Sequence, residues 1–453
     1  MLDSTEIPAR ESRLVTFPFH RIVPRLLRDP LAAFEDIGRR ADGSIARLDL
    51  GPFRPYLVTR PEHVQHVLRD NAANYPRRGM MWEPFSRLVG DGIAGEGEAW
   101  AASRATLQPA FAGRHITALL DEMAATVDEA VADLAGRAAR QQTLDLGLEM
   151  TRIVQRVLNL VFFGGRIRLE DADRLGTAVS TAMMSFLWRM MMPFVPLTVP
   201  MPGDRAFRRS TRTVEEILGP IVAEARRSPT GGGDVVSLLL RGTGADGAPL
   251  SDRQVRDDIV GLWVAGSEST AVALTWLWVN LAARPDVADR LYREIDEVVG
   301  TDAPGRDHVR QLRYTTMVLN ESLRIHSVGW VVPRTSAAED VIDGVPMPAG
   351  ATVLVSPYLT HRLPAVWEDP LTFDPERFAP GRARERHPLA HLPFGAGVHE
   401  CLGQHFFMVE AALIVAAVLR RFRPVVDPAV PVRAQASLTV RPARPVSFTL
   451  RPR

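Results

Sequence analysis

The sequence predicts a mainly α-helical fold with small β-sheets attached, an α+β arrangement. Three observations carry this. Apolar residues recur at helical spacing through long stretches of the middle of the chain. Short alternating runs, rich in β-branched and aromatic residues, occur toward both ends and are bounded by Gly, Pro and Asp. No segment repeats another, which excludes a solenoid or a propeller.

Taken in order, residues 46–50 and 56–59 read as strands. Residues 61–70 read as a short helix with Pro61 in its first turn. Residues 71–97 are loop-rich, with Met80, Met81 and Trp82 exposed or lining a pocket. Helical patterns come next at 99–111, 115–139, 148–162, 171–190 and 204–227. Ser251-Asp252-Arg253-Gln254 has the form of a capping box. It opens a long apolar helix that runs to about Ala283 and stops before Pro285. Helices resume at 286–299 and 314–326. Then come a strand at 340–342, an Asp343-Gly344 turn, a strand at 352–356 and an irregular stretch to Cys401. Residues 404–420 form a last helix, and 437–440 with 446–450 read as a hairpin about a proline turn. Gly231, Gly232 and Gly233 read as a flexible connection. Met183, Met184, Met190, Met191, Met192 and Met201, interleaved with Pro193, Pro196, Pro200 and Pro202, suit a mobile lid over an apolar molecule, although a core-facing helix end would also explain them.

The 453 residues carry a net charge of +1, so no global field points to nucleic acid or an anionic membrane. All 54 basic residues are arginine. No stretch approaches the roughly twenty consecutive apolar residues of a membrane span. Residues 1–30 lack the apolar core of a signal peptide or membrane anchor. A cytoplasmic protein is expected.

Cys401 is the only cysteine, so it forms no internal disulfide and no cysteine-rich zinc cage. By itself a lone cysteine is most often a small buried apolar residue. It is also able to be one axial ligand to a metal held mostly by another group, such as a haem. Gly395, Gly397 and Gly403 flank it and would let the backbone turn tightly and approach a flat cofactor. The helix after it would place the sulfur at a helix N-terminus, where the thiolate is favoured.

The full run Phe394-Gly395-Ala396-Gly397-Val398-His399-Glu400-Cys401-Leu402-Gly403 is more specific than its parts. It resembles the haem-binding loop of the cytochrome P450 family, of the soluble bacterial type. Three further motifs resemble that family in order along the chain. Glu321 and Arg324 form its Glu-x-x-Arg, joined by Arg377 of Pro375-Glu376-Arg377-Phe378. Ala265-Gly266-Ser267-Glu268-Ser269-Thr270 resembles its oxygen-binding element, with serine after the acid where threonine is usual. Trp100 and Arg104, with Arg334 and His399, resemble its clamp on the haem propionates.

The resemblance covers the chain from about Trp100 to the C-terminus and implies a single domain over 1–453. It implies haem b between the long central helix and the cysteine loop with its helix. Cys401 would be the iron ligand, and Trp100, Arg104, Ala265, Gly266, Arg334, Phe394, Gly395, His399 and Gly403 would surround the cofactor. Glu321, Arg324 and Arg377 would form a buried structural network, and Gly266 would let the helix open for dioxygen and water. Glu268 and Ser269 would relay protons, with Thr270 the substitute for Ser269. Substrate would touch Met80, Met81, Trp82, Met184, Leu262, Ala265, Val328, Gly329, Trp330, Val331 and Leu438, with Trp330 narrowing the cavity near the haem.

The implied activity is oxidation of a lipophilic small molecule (a terpenoid, polyketide or fatty-acid-like compound of specialised metabolism) with O2. Electrons would come from NAD(P)H through a ferredoxin or flavodoxin and its reductase. Arg382, Arg384 and Arg386 would steer that acidic partner or simply form a solvated run. A monomer is expected. The alternatives are a haem-thiolate peroxygenase, a non-oxidative isomerase or dehydratase, and a haem gas sensor.

Overall fold

The computed structural model describes residues 14–185, 189, 192, 195–196, 198–227, 232–244, 246–427 and 430–453. The expectations for Met190, Met191, Pro193 and Gly231 lie outside the described residues. The chain divides into two compact units.

The first unit comprises the described part of Met1–Arg77 together with Trp330–Leu371 and Arg386–Glu400. Its five-stranded sheet runs Val15–Phe17, Ala46–Leu48, Tyr56–Val58, Thr352–Val355 and Val332–Thr335 in that spatial order. The first and third pairings are parallel and the others antiparallel. Parallel pairing of Tyr56–Val58 with Thr352–Val355 needs a long crossover, and the second unit supplies most of that chain. Val58, Val353 and Val355 are fully buried and meet Val64, Val67, Leu68 and Leu392 in one apolar core. The Asp343-Gly344 turn joins Asp340–Ile342 to Val345–Met347 as expected, with both turn residues at positive φ.

Gly395 and Gly397 also lie at positive φ, 72° and 75°. At Gly397 a Cβ would fall 1.8 Å from the Leu68 carbonyl oxygen, so only glycine fits. Gly403 has an ordinary φ of −85° and needs no special freedom, which corrects its assignment as a turn glycine.

The second unit comprises Arg78–Gly329, Thr372–Glu385 and Cys401–Arg453. Its axis is the 32-residue helix Asp252–Ala283, whose middle and second half are largely buried. Ser251 caps it by accepting from the Gln254 N–H at 3.2 Å. The reciprocal half of the expected capping box does not form, because the Gln254 amide donates instead to Ser103 Oγ and the Ala99 carbonyl. Helices Leu146–Phe163, Arg313–Ile325 and Gln404–Arg421 pack against this axis.

The central helix is continuous through Gly266. A Cβ there would press to 3.2 Å from Leu158 Cδ2. The C-terminal hairpin pairs differently from the expectation. Ala434–Ala436 pairs with Val440–Pro442 about the tip Ser437–Leu438–Thr439. Ser447–Pro452 instead pairs antiparallel with Phe422–Val426, and its start pairs with Leu144–Asp145. Alternation sets strand character, and only the partner strand's side chains set the pairing.

Gly397→Ala is expected to destabilise the protein by at least about 3 kcal/mol, through backbone strain plus the clash with Leu68. Chemical denaturation monitored by circular dichroism checks this.

Candidate functional site

Cys401 lies three positions before the helix Gln404–Arg421, and its side chain is exposed. The helix itself is buried from Phe406 to Leu419 apart from Met408, so exposure ends within two turns of the sulfur. Gly403 leaves the sulfur uncrowded: even a Cβ there would lie at an ordinary 3.9 Å from Sγ. The helix has no side-chain N-cap, so no capping side-chain oxygen competes for its first N–H groups.

A second bare spot lies on the central helix, which packs against the cysteine-side helix. Ala265 is exposed, while Leu262 is buried at 7% and Ser267 at 8%. Ser269, on the same helical face as Ala265, donates its hydroxyl to the Ala265 carbonyl. Thr270 is only 3% exposed and so stands apart from that face. Glu268 projects beside it and accepts a hydrogen bond from Thr439 Oγ1 at 3.0 Å. Its carboxylate borders an open cavity of about 390 Å³ shared with Met184, Thr275, Arg441 and Arg444. Met184 is exposed and borders this cavity with the acid.

Trp100 and Arg104 lie one helical turn apart on Glu98–Leu107, both half-buried. Three residues that sequence reasoning missed hold this helix. Asp258 is completely buried and accepts from Ser103 Oγ at 2.7 Å and from the Ile93 N–H at 2.6 Å. Gln254 adds its bond to Ser103 at 3.3 Å. Gly92 makes room, since a Cβ there would fall 2.0 Å from Asp258 Oδ1. Burial pushes the Asp258 carboxyl up to about 6, against the pull of its two hydrogen bonds. The signal for this latch was two adjacent aspartates, Asp257 and Asp258, within an apolar helix.

Glu321 and Arg324 are both fully buried. Arg324 holds the carboxylate with two bonds of 2.7 Å, from Nε and Nη2. Arg324 Nη2 also reaches the Thr372 carbonyl at 3.1 Å, and the Asp374 N–H donates to Glu321 at 2.8 Å. Arg377 Nε stands 3.6 Å from the same carboxylate. Burial raises the Glu321 carboxyl, and the bonds from Arg324 and the Asp374 N–H, with the Arg377 charge, pull it back. The network fastens the segment 372–377 to the helix Arg313–Ile325.

Of the remaining candidates, Arg334, Phe394, Gly395, His399, Trp330 and Val331 belong to the first unit, and Met80, Met81, Trp82, Val328, Gly329 and Leu438 to the second. Arg334, 5% exposed, sits on Val332–Thr335 and donates to the Pro333 carbonyl at 2.9 Å. The His399 carbonyl accepts from Arg77 at 3.3 Å. No Cβ at Gly395 would meet any atom within 4 Å, so the loop is open there beside Phe394. The Trp330 ring packs edge-on against Phe34 at 4.9 Å, beside the half-buried Val331.

These residues fit a thiolate-ligated haem. A bare sulfur at the start of a buried helix and a bare alanine on the helix packed against it leave room for a flat apolar group. Trp100 and Arg104 are donors suited to propionates. When bound, such a group supplies the electron-rich iron at which dioxygen is activated, the general behaviour for which cytochromes P450 are the standing example.

Glu321→Ala is expected to cost about 3–5 kcal/mol, because it strands the buried Arg324 charge. Thermal unfolding and haem retention check this. Asp258 gives a pH-dependent expectation. Its folded value of about 6 lies above the ordinary 3.8, so its contribution is fully present below pH 3.8 and lost as pH rises through 6. Relative to Asp258→Asn, the wild type should lose about 1 kcal/mol of stability between pH 5 and 7.5. Parallel denaturant titrations at the two pH values measure this.

Comparison with known proteins agrees with this geometry. The family model described as cytochrome P450 matches residues 25–450. The chain is 34% identical over 389 residues to cyclooctat-9-en-7-ol 5-monooxygenase of Streptomyces melanosporofaciens, covering 84% of this chain and 83% of the relative. It is 32% identical to cyclooctatin synthase of the same organism, covering 89% and 88%. It is 27% identical to pentalenene oxygenase of Streptomyces avermitilis, covering 92% and 91%. The crystal structure of the cytochrome P450DA haem domain superposes with a TM-score of 0.87 at 25% identity, covering 98% of this chain and 99% of that one. With the cysteine loop, the buried Glu-x-x-Arg pair and the fold in agreement, the chain belongs to the cytochrome P450 family and is a monooxygenase of that family.

Proposed function

We propose that this monooxygenase inserts one oxygen atom into an apolar ring compound of terpenoid type, in specialised metabolism. The exposed Cys401 sulfur ahead of a buried helix carries the haem-thiolate reading. The substrate class rests on relatives named for oxidising cyclooctatenol and pentalenene, which align over more than four-fifths of both chains. Polyketides and fatty acids are the competing classes.

In this reading Cys401 binds iron as thiolate, favoured by the dipole and free N–H groups of Gln404–Arg421. Trp100 and Arg104, one turn apart on their helix, would hold a propionate. Glu268 brings protons in from the open cavity, and Ser269 passes them on through the hydroxyl that rests on the Ala265 carbonyl. Serine lacks the methyl that fixes a threonine rotamer, so this hydroxyl turns more freely. Met80, Met81, Trp82, Leu262 and Leu438 supply apolar contacts to substrate. Electrons come from NAD(P)H through a reductase and a ferredoxin or flavodoxin, and the exposed Arg382 and Arg384 offer positive charge to that acidic partner.

The ferrous–carbon monoxide spectrum tests the ligand. Wild type should show the red-shifted band of a thiolate-bound haem, and Cys401→Ala should lose it. A wild-type spectrum of histidine-ligated form ends the reading. The substrate class is tested by spin-state titration with cyclic di- and sesquiterpenes, fatty acids and macrolactones, with mass spectrometry of the products. Turnover of the terpenes with reductant, and not with peroxide alone or without reductant, is the expected result.

A further inference from the structure

The one hydrogen bond on Glu268 comes from a part of the chain 171 positions away. Among the described residues, Thr439 Oγ1 is its sole hydrogen-bond partner, and no arginine stands within ion-pairing distance of it. Arg441 lines the same cavity but points its guanidinium at Met184 Sδ, 3.6 Å away. The acid is therefore held by one neutral hydroxyl.

That hydroxyl is itself fixed. Thr439 closes the tip of the hairpin Ala434–Ala436/Val440–Pro442. The next residue is tied twice: the Val440 N–H donates to the Val328 carbonyl at 3.1 Å, and Trp276 Nε1 donates to the Val440 carbonyl at 2.8 Å. Trp276 lies on the same central helix as Glu268, roughly two turns further on. Thr439 and Val440, the tip's last residue and the one after it, thus grip two points of one helix. The indole in turn lies flat on His326, with ring centroids 3.9 Å apart. The tip is unable to drift along the helix, so the position of the Thr439 hydroxyl is set by Trp276.

We propose that Thr439 is a positioning residue for the proton-delivering carboxyl of Glu268. It parks the acid on the cavity side of the central helix by a single neutral bond, which breaks when the carboxyl turns toward Ser269. This rests on the proton-delivery role proposed for Glu268. An arginine partner would hold the carboxylate more firmly, since the charge-assisted bidentate bond is stronger than one from a hydroxyl. The hydroxyl is strong enough to orient the acid and weak enough to release it. No atom is gained or lost in the movement; the proton that Glu268 releases to Ser269 is replaced from water in the cavity.

The test compares Thr439→Val, Thr439→Ser and Glu268→Gln in the haem-loaded full chain. Product formed per NAD(P)H consumed and the solvent deuterium isotope effect on turnover are measured. The ferrous–carbon monoxide stretching band and the melting temperature of the cofactor-free chain are recorded alongside. Thr439→Val should lower coupling about two- to tenfold, the range set by losing one net hydrogen bond. It should also change the isotope effect and shift the carbon monoxide band, with the melting temperature held. Thr439→Ser should restore all three. Loss of coupling in Glu268→Gln with wild-type values in Thr439→Val overturns the assignment of Thr439 alone. Wild-type coupling in both overturns the reading of Glu268 beneath it. A fall in melting temperature that Thr439→Ser fails to rescue assigns Thr439 a structural role and also overturns the proposal.

Discussion

The Glu321 carboxyl is wholly out of water, and Arg324 and Arg377 surround it. This constraint organises the second unit. Its helix packs against both the central helix and the cysteine-side helix. Through Thr372 and Asp374 it also fixes the backbone just before the chain leaves for the first unit, to return as Cys401. Desolvating two charges is unfavourable, and an apolar replacement is often no less stable. What the ion pair adds is geometry: a planar guanidinium with two parallel bonds admits one placement of the segment it grips.

The walls of the candidate site depend on this placement. The cysteine-side helix is buried from Phe406 to Leu419 apart from Met408, Glu410 included, and its entrance meets open space. The central helix is largely buried from Val255 on, with Ala265 exposed. A group that fits there must be flat and apolar, with charge at one edge. Ser103, Gln254 and Asp258 then fix the helix that carries the donors for that edge. The buried Asp258, whose two acceptor bonds lack a cation, makes this fixture sensitive to protonation.

The helices were legible in the sequence because a period of 3.6 residues is a local property. Asp204–Arg227 matches its expected bounds, and the central helix differs by one residue at its cap. The cysteine loop and Glu-x-x-Arg were legible for another reason: their chemistry is fixed at short spacing. The failures share a cause. Of the C-terminal strands only 446–450 was expected near its observed place, and it was joined wrongly, because Ser447–Pro452 finds its partner in Phe422–Val426, which alternation does not specify. Leu158, on a different helix, packs close at Gly266, a contact that local spacing does not reveal. Thr439 and Asp258 carried no local signal of their partners, since the contacts that give them meaning cross 171 and 155 positions of chain.

The hairpin tip places Leu438 and Thr439 side by side. If the proposed roles hold, one faces substrate and the other holds the acid. Selectivity and timing are then covalently neighbours, and a backbone adjustment made for one is felt by the other. Attempts to retarget the enzyme by enlarging or shrinking position 438 will change how often reducing equivalents end in peroxide, even where the new compound fits well. Altered pairs at 438 and 439, chosen together, are the natural unit for such engineering.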